Sequence, residues 1–330
     1  MGAKKRKSET MKICILGLGV IGTTYGYAFQ KAGHHVEHLV RAKKITTMPN
    51  QLTVKLLDGR YNNKGEEKED IYDIALAQPG STYDFVIISV PSGNLKKAVE
   101  YITENRLSGS LLLFCNFWNE RSEIDAMVGG YSYIIGFPTA GGHIYGSKLN
   151  CVLFDHIMLE QEQKANIQNY DNLTKLLASA DLKTEVPHDM VEWIWLHMAI
   201  NAGVTSTAAK DGKMENPRQL ALGLMEDSKA LSAVVRTIRE TVSVVAARGV
   251  DLKRYSNELL PYKLPAGIAG IAMKKMFSGN ELTSRIMTLH SDISDILYGC
   301  SCVYDTAKER GLDLPLYYNK MDVIYKTLKT

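Results

Sequence analysis

A glycine-rich turn between a strand and a helix, near the start of the chain, constrains the fold more than any other feature. Residues 12–16 form a short apolar run typical of a buried parallel strand. The run leads into the G-x-G-x-x-G turn Gly17-Leu18-Gly19-Val20-Ile21-Gly22, and a helix-compatible segment follows to Ala32. Glycines at these positions permit a tight bend, close approach to a pyrophosphate and close helix–strand packing. The order predicts a dinucleotide site; a glycine turn without a ligand is the alternative.

The residue that follows the second predicted strand bears on which dinucleotide would bind. That strand covers residues 35–40 and ends at Arg41, with Lys43 and Lys44 just behind it and no acidic residue nearby. An acidic side chain there would bind the ribose 2′-hydroxyl of NAD, whereas an arginine can pair with a 2′-phosphate. Arg41 therefore predicts NADP(H) as the cofactor, with an exposed basic loop as the alternative.

Three later apolar runs continue the predicted sheet, over residues 84–91, 111–116 and 133–136. In open parallel sheets, ligands lie beyond the carboxyl ends of the strands. Val90, Pro91, Asn116 and a loop over residues 136–142 are therefore predicted along the rim where a nicotinamide would lie. Asn116 could instead cap the helix that follows it.

The pattern changes after Pro187, where apolar residues recur at helical spacing and no further strand-like run of the same quality appears. Helices are predicted over residues 191–210, 216–249, 282–310 and 317–328. Pro217 suits the first helical position. The chain is thus divided into a basic tail (1–10), a dinucleotide-binding domain (11–183) and an all-helical domain for substrate and dimer contacts (184–330).

Polar residues on the predicted helices are candidates for chemistry, in chain order His197, Asn201, Thr205, Thr283, Ser284, Asp292 and Asp295. His197, Asn201 and Thr205 are four residues apart, so they share one face of an otherwise apolar helix. Asp292 and Asp295 are three residues apart and therefore neighbours. Such polar groups need partners or a ligand. A satisfied core histidine and a solvated acidic helix face are the alternatives.

Composition excludes several function classes. The 330 residues carry 39 basic and 36 acidic side chains, a formal net charge of +3, which is too small a field to hold a nucleic-acid backbone. The basic run over residues 4–7 is predicted to be a solvated terminus, with a nuclear-localisation-like patch or a nucleic-acid arm as the alternatives. No stretch approaches the roughly 18 apolar residues of a membrane span. Five cysteines without a CxxC pair predict a reduced, cytoplasmic protein with no structural metal site.

Taken together, the sequence resembles the ketopantoate reductase (2-dehydropantoate 2-reductase) family over nearly the whole chain after Met11. The matching segments are Gly17, Gly19, Gly22, Gly33–Val36, Arg41, Asn116, His197–Asn201, Ser294–Ile296 and Gly311–Pro315. The resemblance implies an α/β protein with an N-terminal Rossmann-type doubly wound parallel sheet and an all-helical C-terminal domain. It also implies an NADPH-dependent oxidoreductase, with a homodimer as its expected assembly.

Four positions depart from the pattern of that family, and all fall where ketopantoate would be held and protonated. The family's general-acid lysine is replaced by His197, and a second lysine, in the loop after the strand that ends at Val90, by Pro91. The second asparagine of the catalytic helix becomes Thr205, and the family's glutamate becomes Asp295. These departures argue against ketopantoate itself and leave the substrate open.

The expected reaction is hydride transfer from NADPH to the carbonyl of a 2-oxo acid, with His197 as general acid and base. Its ordinary pKa suits proton donation near neutral pH, and Asp295 would orient it. Substrate contacts are expected from Asn116, Asn201, Thr205, Thr283 and Ser284. One alternative is imine reduction by a His197/Asp295 pair, as in opine dehydrogenases, and another is an NADP(H)-binding sensor without turnover. Residues 89–92 also resemble a loop of glycerol-3-phosphate dehydrogenases.

Overall fold

The computed structural model describes residues 9–211, 214–289 and 293–328. The chain folds into two compact units, of which the first ends at Pro187 and the second begins at His188. The segment Asn116–Glu120 is the exception, because it belongs to the second unit. The sequence placed the change of domain at residues 183/184. Among the described residues, no helix is both long and apolar enough to cross a membrane.

The strands all lie in the first unit: β1 (Lys12–Leu16), β2 (His35–Leu39), β3 (Gln51–Asp58), β4 (Glu66–Asp73), β5 (Ala75–Leu76), β6 (Thr82–Ile88), β7 (Ser108–Leu113), β8 (Tyr133–Phe137), β9 (Ala140–Tyr145), β10 (Lys148–Leu153), β11 (His156–Leu159) and β12 (Lys183–Glu185). Its helices are α1 (Val20–Lys31), α2 (Ala42–Ile45), α3 (Leu95–Glu104), α4 (Arg121–Val128) and α5 (Tyr170–Ser179). The main sheet has the order β12-β11-β8-β7-β6-β1-β2-β5. Strands β2, β1, β6, β7 and β8 run parallel to one another, whereas β11 pairs antiparallel with β8. The predicted Rossmann-type parallel sheet is therefore confirmed.

The central strands of this sheet are buried on both faces, which is why they appear in the sequence as continuous apolar runs. Ile13, Cys14 and Ile15 of β1 are fully buried, as is the run Phe85–Ile88 of β6. Helix α1 packs against β1 and β2. These contacts hold the turn between β1 and α1 at the carboxyl edge of the sheet.

A second sheet, with the order β4-β3-β10-β9, was not predicted. It also corrects the expected loop over residues 136–142, because Gly136 and Phe137 end β8 while Ala140–Gly142 begin β9. The backbone of β9 pairs with β10, with Gly142 opposite Cys151. A side chain on Gly142 would collide with the carbonyl oxygen of Asn150, so glycine here reflects close strand packing. Only residues 138 and 139 connect the two strands.

The second unit is helical, and no strand occurs in its described residues. Its helices are α6 (Met190–Ala208), α7 (Pro217–Glu226), α8 (Ser228–Ala247), α9 (Ser256–Lys263), α10 (Ala266–Gly279), α11 (Glu281–Leu289), α12 (Ile293–Glu309) and α13 (Pro315–Leu328). The single helix predicted over 216–249 is wrong, because Asp227 caps a new helix through the backbone N–H of Lys229 at 2.8 Å. Within the helix predicted over 282–310, the structure describes two helices, α11 and α12. Asp292 lies outside the described residues.

Helix α6 is central to this unit and packs against α8, α12 and α13. Because it is covered on several sides, most of its residues are buried, and its sequence is apolar nearly all round. The short segment Asn116–Glu120 joins the same unit through Trp118, whose indole N–H donates to Thr306 at 2.8 Å. Arg248 lies 4.6 Å from the centre of the Trp118 ring and pairs with Glu120 at 2.8 Å.

Candidate active site

The glycine turn has the geometry that its sequence predicts. Gly17 adopts a positive φ of 80°, which a residue with a side chain rarely adopts. At Gly22 a β-carbon would lie 2.5 Å from Cγ2 of Ile15 and 2.9 Å from Oγ of Ser89, so helix and strand approach too closely for any side chain. Gly19 is exposed and has open space around it, with the carbonyl of Ser89 at 3.8 Å from a hypothetical β-carbon.

The residues around this turn fit a dinucleotide. Gly19 caps α1 without a side-chain hydrogen bond, which leaves the first N–H groups of the helix available to an anion. Two hydroxyls in the same region, of Thr23 and Ser89, are buried and have no hydrogen-bond partner among the described residues. Unpaired buried hydroxyls are costly unless a ligand or water satisfies them.

The other predicted cofactor residues of the first unit follow neighbouring parallel strands. Leu18, Val20 and Ile21 belong to the turn and the start of α1, while Val90 and Pro91 come just after β6. Arg41 comes just after β2, at the N-cap of α2, and its side chain is exposed together with Lys43 and Lys44. The structure therefore brings these residues to the carboxyl edges of β1, β2 and β6, which adjoin in the sheet.

Asn116 is placed differently, because it begins the segment that packs with the helical unit. Its side-chain oxygen Oδ1 is buried and has no hydrogen-bond partner within the described parts of the chain. An unpaired amide oxygen in a buried position can accept a hydrogen bond from a ligand.

His38 is a functional candidate that the sequence analysis missed. It is fully buried on β2, its Nδ1 lies 2.7 Å from the carbonyl oxygen of Gly17 and its Nε2 lies 2.7 Å from the hydroxyl of Tyr72. Since a carbonyl only accepts, Nδ1 donates and Nε2 accepts from Tyr72. Burial lowers the pKa of His38 to about 4, against a smaller opposing effect of the Gly17 carbonyl, so the ring is neutral. Strand β2 contains two histidines, His35 and His38, and the sequence does not indicate which of them faces the glycine turn.

The structure brings His197 and Asn201 together on one face of α6, as their four-residue spacing predicts. Asn201 Nδ2 lies 2.8 Å from Nε2 of His197, and the imidazole stacks on the indole of Trp193, with ring centres 5.3 Å apart and planes 11° apart. Burial lowers the pKa of His197 to about 4. A neutral histidine in this position can accept a proton, and a charged group placed beside it would raise its pKa.

His197 and Asn201 lie in the wall of a cavity of about 340 Å³ within the helical unit. The cavity is lined by Trp193, Leu196, His197, Ile200, Asn201, Val204, Leu224, Leu231, Val234, Glu258, Tyr262, Met273, Met276, Phe277, Thr283 and Met287. Most of these residues were not predicted as site residues, and five of them lie on α9 and α10, which were not recognised as helices. The methionines of the C-terminal third were the available signal, since Met273 and Met276 are three residues apart.

Of the other predicted substrate residues on the helices, one lines this cavity and two do not. Thr283 lines the cavity, but Thr205 and Ser284 are not among the lining residues. Ser284 Oγ donates to the carbonyl of Glu281 in its own helix at 3.2 Å. Asp295 occupies the first turn of α12, a helix that packs against α6, and it too is absent from the cavity lining. No cluster of three or more potential metal ligands occurs within the described residues.

Comparisons with known proteins agree with this architecture. Residues 13–148 match the family model described as ketopantoate reductase PanE/ApbA. A dimeric ketopantoate reductase from Staphylococcus aureus superposes with a TM-score of 0.61 at 13% identity, over 96% of this chain and 100% of that one. A 2-dehydropantoate 2-reductase from Geobacter metallireducens GS-15 gives a TM-score of 0.64 at 14% identity, over 96% and 99%.

A D-mandelate dehydrogenase in complex with NADH and anilino(oxo)acetate is similar to the same degree, with a TM-score of 0.64 and 16% identity, over 96% of this chain and 98% of that one. A search of curated proteins finds no match. At such low identities the structural similarity establishes the fold, and the family match lies within the first 148 residues. The resemblance seen in the sequence is confirmed to this extent: residues 13–148 match the ketopantoate reductase PanE/ApbA family model, and the whole chain has a fold similar to that of these reductases and dehydrogenases.

Proposed function

We propose that this chain is an NADPH-dependent oxidoreductase that interconverts a 2-oxo acid and the corresponding 2-hydroxy acid. The observation that supports it most is the hydrogen-bonded pair of His197 and Asn201 in the wall of a substrate-sized cavity. The glycine turn from Gly17 to Gly22, with its uncapped helix N-terminus, supplies the place for the dinucleotide. The bound nicotinamide supplies the hydride in the reduction direction.

The protein's own residues carry the proton and hold the substrate. His197 delivers a proton to the carbonyl oxygen in reduction and removes the hydroxyl proton in oxidation. Asn201 lies beside Nε2, so its amide donates a hydrogen bond to the same substrate oxygen and limits the positions that the oxygen can take. We assign Asn116, whose Oδ1 is buried and unpaired, to a contact with the substrate or the carboxamide. Asp295 as a partner of His197 stays a prediction.

NADPH is proposed over NADH because of the exposed basic group that follows β2. Arg41, Lys43 and Lys44 are all exposed there, and a guanidinium can bind a 2′-phosphate through two parallel hydrogen bonds. The D-mandelate dehydrogenase of similar fold has a structure with NADH, so the test of function compares NADPH with NADH. Val90 and Pro91 are proposed to lie along the same cofactor site.

A second candidate function is the reduction of an imine, and one feature of the cavity favours it. Glu258 lines the cavity and is acidic, while none of the lining residues that the structure describes is lysine or arginine. A carboxylate would stabilise the positive charge of a protonated imine. This candidate differs from the first in its need for an amine co-substrate.

We also propose that the protein acts as a cytoplasmic homodimer. The dimeric reductase from Staphylococcus aureus is one reason, and an exposed apolar surface is another. Leu260 of α9 and Ile268 and Ile271 of α10 are 61%, 59% and 65% exposed. Light scattering of the purified protein should give twice the mass of one chain, and Ile271→Glu should lower that mass towards a monomer.

The experiment that tests the function measures NADPH and NADH oxidation by the purified full-length chain. The carbonyl substrates are ketopantoate, branched and aromatic 2-oxo acids, and pyruvate with and without amino acids. Turnover of a 2-oxo acid alone supports the proposal, and turnover only with an amine moves the protein to the imine reductases. A protein that binds NADPH tightly and turns over none of these compounds contradicts both.

A further inference from the structure

Gly17, the first glycine of the turn, makes two hydrogen bonds to strand β2. Its N–H donates to the carbonyl of Leu39 at 2.8 Å, and its carbonyl accepts from Nδ1 of His38 at 2.7 Å. The first bond joins two backbone groups, so it does not depend on which residues β2 carries. The second bond requires a side chain that donates at position 38.

The bond from His38 determines the direction of the peptide unit that joins Gly17 to Leu18. In a trans peptide the C=O group and the N–H of the next residue point in opposite directions. Because the carbonyl of Gly17 is turned towards the buried imidazole, the N–H of Leu18 points away from it. Within the described residues this N–H makes no hydrogen bond to another backbone group. It is therefore available to an anion at the turn.

Gly17 cannot maintain this direction by itself. Its φ of 80° lies in the left-handed region, and a β-carbon on it would have no described atom within 4 Å. Glycine adopts positive and negative φ about equally readily, so the peptide unit could rotate at little cost. Rotation would bring the carbonyl oxygen, which carries partial negative charge, towards a bound pyrophosphate. A side chain that holds this carbonyl therefore favours the binding of the anion.

His38 is held in turn by Tyr72 of the second sheet. The hydroxyl of Tyr72 donates to Nε2 at 2.7 Å, and both side chains are fully buried. Burial raises the pKa of Tyr72, so its hydroxyl keeps the proton that it donates. A β-carbon on Gly26 of α1 would lie 2.7 Å from this hydroxyl, so glycine leaves the room that it occupies. The imidazole is thus fixed with its proton on Nδ1, facing Gly17.

We propose that His38 and Tyr72 are positioning residues for the coenzyme, and that they hold the peptide unit between Gly17 and Leu18 so that its N–H donates to the pyrophosphate. This inference rests on the proposed function, because it takes NADPH or NADH as the ligand of the turn. Both side chains are covered by the protein itself, so they act through Gly17 and not by contact with the coenzyme.

The first test measures the Kd of NADPH and of NADH, which share the pyrophosphate, by calorimetry on the full-length chain. His38→Leu removes the donor to Gly17, and both Kd values should rise about ten-fold or more, as for a lost hydrogen bond to a charged group. His38→Asn keeps an N–H in the place of Nδ1 and should restore most of the affinity. Tyr72→Phe removes only the support of the ring, and both Kd values should rise about two- to ten-fold.

The matched control is Tyr133→Phe, in β8 of the same unit. Tyr133 is 1% exposed, and its hydroxyl donates to Asp125 at 2.5 Å. The control also loses one buried hydroxyl, so its free energy of unfolding should fall while both Kd values stay the same. Urea unfolding shows whether each variant is folded during the titration. If Tyr72→Phe and Tyr133→Phe have the same effect on Kd, or if His38→Leu binds NADPH as tightly as the unchanged chain, the inference is overturned.

Phosphorus NMR of bound NADP⁺ gives a readout that a general loss of stability would not change. The coenzyme contains its own reference, because the 2′-phosphate is proposed to lie at Arg41 and the pyrophosphate at the turn. His38→Leu and Tyr72→Phe should both shift the pyrophosphate signals and leave the 2′-phosphate signal in place. Pyrophosphate signals that do not shift in Tyr72→Phe overturn the inference, even if His38→Leu fails to fold.

These binding measurements need no turnover, so they separate the inference from the proposed function. If the chain binds NADPH, the variants behave as expected and no carbonyl is reduced, the proposed function fails and the role of His38 and Tyr72 remains. A chain that reduces a 2-oxo acid but shows unchanged Kd values in His38→Leu keeps the proposed function and refutes the inference. A chain that binds neither coenzyme refutes both.

Discussion

Asn201 donates its side-chain amide to Nε2 of His197 over 2.8 Å, and this bond determines which nitrogen of the ring carries the proton. An amide nitrogen cannot accept a hydrogen bond, so Nε2 is unprotonated and the neutral ring carries its proton on Nδ1. Trp193 stacks on the imidazole and holds its plane. With a pKa lowered to about 4 by burial, His197 is a base in the free protein at neutral pH.

The first prediction concerns the loss of this pair. His197→Ala should lower kcat by about 10²- to 10⁴-fold, the range for removing a general acid or base, and should leave NADPH binding largely intact. Asn201→Ala should cost less, about ten- to 100-fold, because it removes one hydrogen bond to the reacting oxygen. Steady-state kinetics and titration with NADPH measure both effects. Full activity of His197→Ala would exclude the histidine from the chemistry.

The second prediction is a pH dependence that differs between the two directions. Reduction requires the protonated imidazole, so its kcat/KM should fall as pH rises above the lowered pKa of about 4. Oxidation requires the neutral ring, so its kcat/KM should stay level above that pKa and fall below it. Asn201→Asp places a carboxylate beside the ring, which raises its pKa, and both profiles should move to higher pH. Profiles that do not move would show that another group transfers the proton.

The third prediction concerns His38, which connects Gly17 to Tyr72. Its pKa of about 4 in the folded protein lies below the ordinary value of 6.5, so the unfolded chain binds more protons between these values. His38 therefore contributes roughly 3 kcal/mol to the free energy of unfolding above pH 6.5, and this contribution is lost as the pH falls towards 4. His38→Asn should remove this pH dependence while it keeps a hydrogen-bond donor for Gly17. The control is His35→Asn, at an exposed position on the same strand, which should leave the pH dependence unchanged. Urea unfolding between pH 4 and 7 measures the difference.

The fourth prediction concerns coenzyme preference. Arg41→Ala should lower the preference for NADPH over NADH by about ten- to 100-fold, the value of one or two hydrogen bonds to a charged group. The KM for NADH should change little, since NADH has no 2′-phosphate. Lys148→Ala removes a positive charge from an exposed position of β10 and is the matched control. If Arg41→Ala leaves the preference for NADPH over NADH unaltered, the basic residues after β2 form a solvated loop and do not bind the 2′-phosphate.

The fifth prediction separates two glycines of the turn. Gly22→Ala forces a β-carbon against Ile15 and Ser89, and should lower the free energy of unfolding by roughly 1–3 kcal/mol. Gly19→Ala has room in the folded chain, because its β-carbon would lie 3.8 Å from the Ser89 carbonyl. Gly19→Ala should leave the free energy of unfolding unchanged and should weaken the binding of NADPH, which calorimetry measures. Equal effects of both changes on stability would contradict these separate roles.

Local patterns predicted the parts of the molecule that depend on local interactions. The turn from Gly17 to Gly22 lies between adjacent elements, and the buried strands are continuous apolar runs, so both could be read from short segments. The second sheet could not, because Glu66–Asp73 is mostly charged and becomes a strand only by pairing with β3. Asp227 ends one helix and caps the next, an ambiguity that helical periodicity does not resolve.

In the candidate site, too, local spacing predicts some features, and others depend on residues that are far apart in sequence. Four-residue spacing on one helix brought His197 and Asn201 together in the prediction as in the structure. The cavity around them is built by α6 to α11, and spacing within one helix gives no information about which residues of other helices face it. His38 was missed for a related reason, since its partners Gly17 and Tyr72 are far from it in sequence.

The allocation of Asn116–Glu120 to the helical unit also bears on how such a protein can change by recombination. A gene exchange at residues 187/188 would transfer every long helix of the second unit but leave behind Trp118 and Glu120, the partners of Arg248. The recipient would have to supply the same five-residue segment from its own N-terminal half. A helical half separated at residue 187 would therefore lack the two partners, Trp118 and Glu120, that Arg248 has in this structure.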